Sequence, residues 1–95
     1  MITKEEAIRL AQAHLLELQK KCAVDIRINY ALSAEYSVGY VFFYNTTKFW
    51  ETQDVAYSLV GNGPILVNKD TGAICDLPAN QSVEASIGGN LESQN

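Results

Sequence analysis

Ninety-five residues give room for one hydrophobic core, and a net charge of −4 with scattered Lys and Arg (only Lys20-Lys21 adjacent) excludes a phosphate-gripping nucleic-acid surface. Hydrophobic residues at 47% and charged residues at 19% exclude a disordered chain, and no apolar run approaches the roughly 20 residues that cross a bilayer. A chain this short buries only about 60–65% of its unfolded surface, so most apolar side chains must serve the core.

Met1-Ile-Thr-Lys-Glu-Glu has no basic segment leading into an apolar one, so it is not read as a signal peptide and a cytoplasmic protein is expected. Thr3 followed by Glu6 is a capping-box signature, with Ile2 placed to act as a hydrophobic staple. Ala7, Ile8, Ala11, Leu15, Leu18 and Cys22 then fall on one stripe at helical spacing, opposite Lys4, Glu6, Arg9, Glu17 and Lys20. The pattern predicts a helix of about five turns packed on something flat, with Leu10 partly exposed. Glu5, Glu6 and Asp25 read as cap and turn carboxylates. His14 lies at the edge of the apolar stripe, where a packing role is expected.

Ile26, Ile28, Tyr30 and Leu32 alternate with Arg27, Asn29 and Ala31, the period of a half-buried strand. The pattern weakens from Ser33 to Val38, and Gly39 reads as a turn or bulge. Tyr40-Val-Phe-Phe-Tyr44 is β-forming on both faces and is expected in the centre of the sheet. Asn45-Thr-Thr47 lowers the apolar density and Phe49-Trp50 restores it; one or two helical turns are expected within 52–59, started by Thr52 or Asp54. Asn45-Thr-Thr47 and Asn80-Gln-Ser82 fit the glycosylation sequon, and both are read as chance matches.

Gly61-Asn-Gly-Pro-Ile-Leu-Val-Asn-Lys-Asp-Thr-Gly72 is the most glycine-dense stretch. A phosphate loop would need a Lys-Ser/Thr pair and a following helix, and both are missing. A calcium loop counted from Asn68 would need glycine sixth and Glu twelfth, whereas glycine falls fifth and Ala79 twelfth. The stretch therefore frames a hairpin: Gly61 and Gly63 in a bend, Pro64 opening a strand over Ile65-Leu-Val67, and a turn in which Gly72 is left-handed. Ala73-Ile-Cys75 is the returning strand. A short helix is expected from near Ser82 to Gly88-Gly89, then a flexible tail over 89–95. Cys22 and Cys75 are 53 positions apart, match no metal or redox spacing, and are expected as buried thiols.

The chain thus reads as α+β: an N-terminal amphipathic helix on one face of an antiparallel sheet of about four strands, with a short C-terminal helix. One His and no nucleophile, metal or paired-carboxylate motif imply no enzyme, no catalytic or metal residues and no cofactor. Eight aromatic residues between 36 and 57 exceed what one sheet face of so small a domain can use. Tyr36, Tyr44 and Trp50 are the candidates for an exposed partner-binding patch, which the flanking Glu35, Glu51 and Asp54 would make anionic.

Gly39-Tyr-Val-Phe-Phe-Tyr-Asn45, Lys48-Phe-Trp-Glu51 and the Gly61–Gly72 stretch, in that order behind the Thr3-Lys-Glu-Glu-Ala7 helix start, resemble the YrhB-like, immunity protein 35 domain. Gly39-Tyr40 departs from it, standing where the family often has Trp. The resemblance makes residues 1–88 a single immunity domain. It implies a small cytoplasmic protein, encoded beside a bacterial polymorphic toxin, that neutralises this cognate toxin by binding it. A chaperone-like role is attached to another branch of the family and stands as the alternative. No nucleic acid and no membrane are expected as partners, and an unpaired sheet edge leaves a homodimer open.

Overall fold

The computed structural model describes residues 1–59, 63–79 and 82–87. Helix α1 spans Lys4–Cys22, opened by the capping box: the Glu6 amide donates to Thr3 Oγ1 (3.2 Å) and the Thr3 amide to Glu6 Oε1 (3.4 Å). Its sheet-facing residues Ala7, Ala11 and Leu15 are buried, and the two alanines let the helix lie close to the strands. The stripe ends early, because Cys22 is exposed. Ala23 stops the helix in a left-handed conformation, its amide donating to the Gln19 carbonyl.

Four strands follow: β1 (Ile26–Glu35), β2 (Gly39–Thr46), β3 (Ile65–Asn68) and β4 (Ile74–Asp76), antiparallel in the order β1-β2-β3-β4. The aromatic strand β2 is interior and buried on both faces, as its composition requires. Tyr40, Phe42 and Tyr44 pack under α1 with Ile26, Ile28, Ile65 and Val67. Val41 packs on the other face with Leu66, Leu77, Val83 and Ile87, the last two from the short C-terminal helix α3 (83–87). The architecture is α+β, with a helix on each face of the sheet.

The Gly61–Gly72 stretch is a hairpin frame wherever it is described. Asn68 Oδ1 accepts from the amides of Asp70 and Thr71, the Gly72 amide donates to the Asn68 carbonyl (2.8 Å), and Gly72 takes φ 77°. Pro64 continues the pairing through its carbonyl, which accepts from the Leu77 amide (2.9 Å). The expected bend at Gly61, the helix stop at Gly88-Gly89 and the tail over 89–95 lie outside the described residues.

Some expectations hold and others are corrected. Gly39 closes the turn into β2, exchanging backbone hydrogen bonds with Tyr36 (2.8 and 3.2 Å), and a side chain there would collide with the Val67 carbonyl oxygen, so close strand approach also demands glycine. The helical turn expected within 52–59 is present as a 3-10 turn at Val55–Tyr57, capped by Asp54, and it is preceded by a helix that was not expected, α2 over Thr47–Thr52, capped by the Thr46 hydroxyl. Thr52 ends a helix rather than starting one, since Gln53 turns left-handed behind it. Both cysteines are exposed, not buried. Cys22 sits on the last turn of α1, and Cys75 lies on β4, the short edge strand whose Cys75 and Asp76 are exposed.

Candidate interaction surface

The surface begins with a buried polar anchor at the end of β2. Asn45 and Thr46 are buried, and buried polar groups must be paired. Asn45 Nδ2 donates to Ser58 Oγ (2.9 Å), and its Oδ1 accepts from the Thr46 and Leu59 amides (2.8 Å each). Thr46 Oγ1 donates to the Tyr57 carbonyl (2.7 Å) while accepting from the Phe49 amide (2.9 Å). Two side chains therefore start α2 and pin residues 57–59 against the sheet. The burial of Asn45 also rules out its use as a glycosylation acceptor in the folded chain.

A register shift in β1 shapes the other wall. Asn29 pairs with Phe43 but Ala34 pairs with Val41, five steps along β1 against two along β2. An odd excess of residues reverses which face each parity occupies. Ile28, opposite Tyr44, faces α1; Ala34, opposite Val41, faces the α3 side. The loop-out is held by Asn29, whose Oδ1 accepts from the Ala31 amide and whose carbonyl accepts from Ser33 Oγ. This reversal carries Tyr36 to the α3 face, where it packs beside Val38 and Phe43.

Between these walls lies a groove of about 580 Å³. Leu32, Tyr36 and Phe43 line it from the sheet, Trp50 from α2, and Val83 and Glu84 from α3. Tyr36 Oη donates to Glu84 Oε1 at 3.4 Å. Partial burial, the Glu84 charge and this hydrogen bond together raise the Tyr36 pKa above its ordinary 10.0, keeping the phenol protonated. Trp50 is held by its indole N–H, which donates to the Arg27 carbonyl (2.8 Å), and by an edge-to-face contact with Phe49 at 5.2 Å between ring centres.

The groove thus brings together Tyr36 and Trp50 from the expected patch. Tyr44 borders it but is a core residue only 8% exposed, which corrects its expected exposure. The expected acids disperse. Glu35, opposite Tyr40 in the register, pairs with Lys69 Nζ at 2.7 Å on the α1 side. Glu51 lines a separate depression with Val24, Lys48 and Tyr57. Asp54 is engaged as a cap, accepting from the Ala56 amide (2.9 Å). Glu84, which sequence reading passed over, is the acid actually in the groove. Its only signal was its place two residues after Ser82, on the first turn of the expected helix.

His14 stands half-exposed beside Asp76, Nε2 to Oδ1 4.0 Å, at an open depression that also holds Glu17, Lys21 and Cys22. Among the described residues no three His, Cys, Asp or Glu side chains gather as metal ligands, and no helix is long and apolar enough to cross a membrane.

The chain is thus a helix-covered antiparallel sheet with an aromatic groove walled by two short helices. The chain belongs to the Immunity protein 35 family, whose model matches residues 5–87. It is also similar to the uncharacterized protein YrhB of Escherichia coli (strain K12), 31% identical over 84 residues that cover 88% of this chain and 83% of that protein. No solved structure matches the chain.

Proposed function

We propose that this chain is an immunity protein that neutralises a cognate toxin in the cytoplasm by forming a tight one-to-one complex, with no catalytic step of its own. The observation that carries the reading is the groove: Tyr36 and Trp50, far apart in sequence, come together on one face with Leu32, Phe43 and Val83. Tyr and Trp anchor binding surfaces because they cover large area with few rotatable bonds. Family membership supplies the kind of partner. Restraining a lethal effector calls for nanomolar affinity, about 12 kcal/mol. A standard interface takes roughly 800 Å² from each partner, about a seventh of the 5942 Å² this chain exposes.

Co-expression tests it. Cells producing the effector domain encoded in the adjacent reading frame should grow only when this chain is present, and the purified pair should elute as a 1:1 complex. Growth arrest despite good expression, with no complex, would refute the proposal. One observation favours a holdase as second reading: Leu16, Tyr30 and Leu32 are 51%, 48% and 51% exposed near the outer strand β1. A holdase would suppress aggregation of unrelated heated proteins, and a dedicated immunity protein would not.

A further inference from the structure

The groove's hydrogen-bonding groups are unevenly committed. The Tyr36 hydroxyl donates to Glu84, the Asn45 amide to Ser58, the Trp50 indole to Arg27 and the Ser58 hydroxyl to the Leu59 carbonyl (3.3 Å). These donors are engaged inside the protein, so they offer an incoming anion or carbonyl little. Apart from the Ser82 hydroxyl, acceptance is what remains. Glu84 is exposed, uses one oxygen for Tyr36, and pairs with no cation among the described residues. It is also the one ionised side chain among the described residues that line the groove; no Lys, Arg or His does. An unneutralised carboxylate beside two aromatic rings attracts a cation, through charge and through the ring quadrupoles.

We propose that the groove is the docking site for a cationic side chain, an arginine or lysine on a loop of the partner protein, received between Glu84 and the rings of Tyr36 and Trp50. The proposal rests on the immunity reading for the identity of the partner, but the recognition chemistry stands on the groove alone. The net charge of −4 steers such a partner toward the chain from a distance, and Glu84 fixes the point of capture.

The test is a low-salt NMR titration of the intact chain with blocked arginine amide, using blocked lysine, citrulline and glutamate as comparisons. Citrulline has nearly the shape of arginine without its charge. Arginine or lysine should shift the resonances of Tyr36, Trp50 and Glu84 in a saturable way, at least about fivefold more tightly than citrulline or glutamate. Glu84→Gln should abolish that preference while leaving the melting temperature unchanged, and Trp50→Phe should retain most of it. Shifts spread over Glu5, Glu17 and Asp70, binding indifferent to Glu84→Gln, or no saturable response would each overturn the proposal. A Glu84→Lys chain that still rescues toxin-producing cells at unchanged affinity would sink the groove while leaving immunity intact. Failure of the unmodified chain to rescue would sink immunity, and the titration would still decide the groove.

Discussion

Ala23 holds φ 57° at the end of α1, a conformation that costs an L-residue with a Cβ roughly 1 kcal/mol and glycine almost nothing. Ala23 is exposed, so nothing else changes on replacement. Ala23→Gly should therefore stabilise the chain by about 1 kcal/mol, read as a higher urea midpoint at unchanged slope. Tyr36 carries a pH signature. Its pKa in the folded state lies above the unfolded value near 10.0, so the stability it contributes is complete below pH 10.0 and is lost as pH climbs through the folded pKa. In a spectrophotometric titration Tyr36 should ionise late, and Glu84→Gln should bring it earlier by removing the charge while leaving an amide oxygen that can still accept. Both thiols should react with a disulfide reagent in the native protein without denaturant, because both are exposed. At this scale the capping box and Gly72 were legible, since each acts on backbone within a few residues. The cysteines were not: their type favours burial, but exposure depends on where α1 outruns the sheet and on which strand becomes an edge.

Two elements carry the architecture toward the groove. The Asn45-Thr46 pair looks like a polar interruption after an aromatic strand, yet it ties β2 to α2 and to residues 57–59. Asn45→Ala would leave the Leu59 and Thr46 amides without their acceptor, at a cost of about 2–3 kcal/mol in chemical denaturation. Asn45→Asp should keep most of the acceptor function and lose only the bond to Ser58. The register shift in β1 is the second element. Its residues 30–32 are exposed, and a looped-out outer strand is a poor template for pairing with another chain. The existence of β1, β2 and the β3–β4 hairpin followed from alternation and turn chemistry. The shift did not, because it depends on Asn29 and Ser33 bonding to nearby backbone, a choice that only pairing with β2 makes worthwhile.

For the whole molecule, the two sheet faces differ in how completely they close. The α1 face closes over Phe42, Ile65 and Val67, all nearly inaccessible, while the α3 face leaves a groove beside a smaller cluster. Tyr44 and Tyr36 should accordingly behave in opposite ways. Tyr44→Ala removes a core ring and should cost roughly 3 kcal/mol in stability, as large-to-small core changes do. Tyr36→Ala should weaken partner binding about tenfold or more, with a change in unfolding free energy under about 1 kcal/mol. Calorimetry on the same purified variants separates the two effects. If Tyr36→Ala loses binding only in proportion to lost stability, the groove is not the contact surface.

What the sequence determined by itself was everything written in short-range periodicity: a helix of one apolar stripe, an interior aromatic strand, a glycine-closed hairpin and hence the α+β class. Those signals are local because helix, strand and turn geometry repeat within a few residues. Only the tertiary structure decided which rings are buried and which acids stand near them. A three-residue excess in β1 turned Tyr36 to the α3 side, and the packing of Val83 and Ile87 on Val41 set Glu84 beside it. Face and neighbour are properties of strand register and helix docking, and they arise from contacts between segments tens of residues apart.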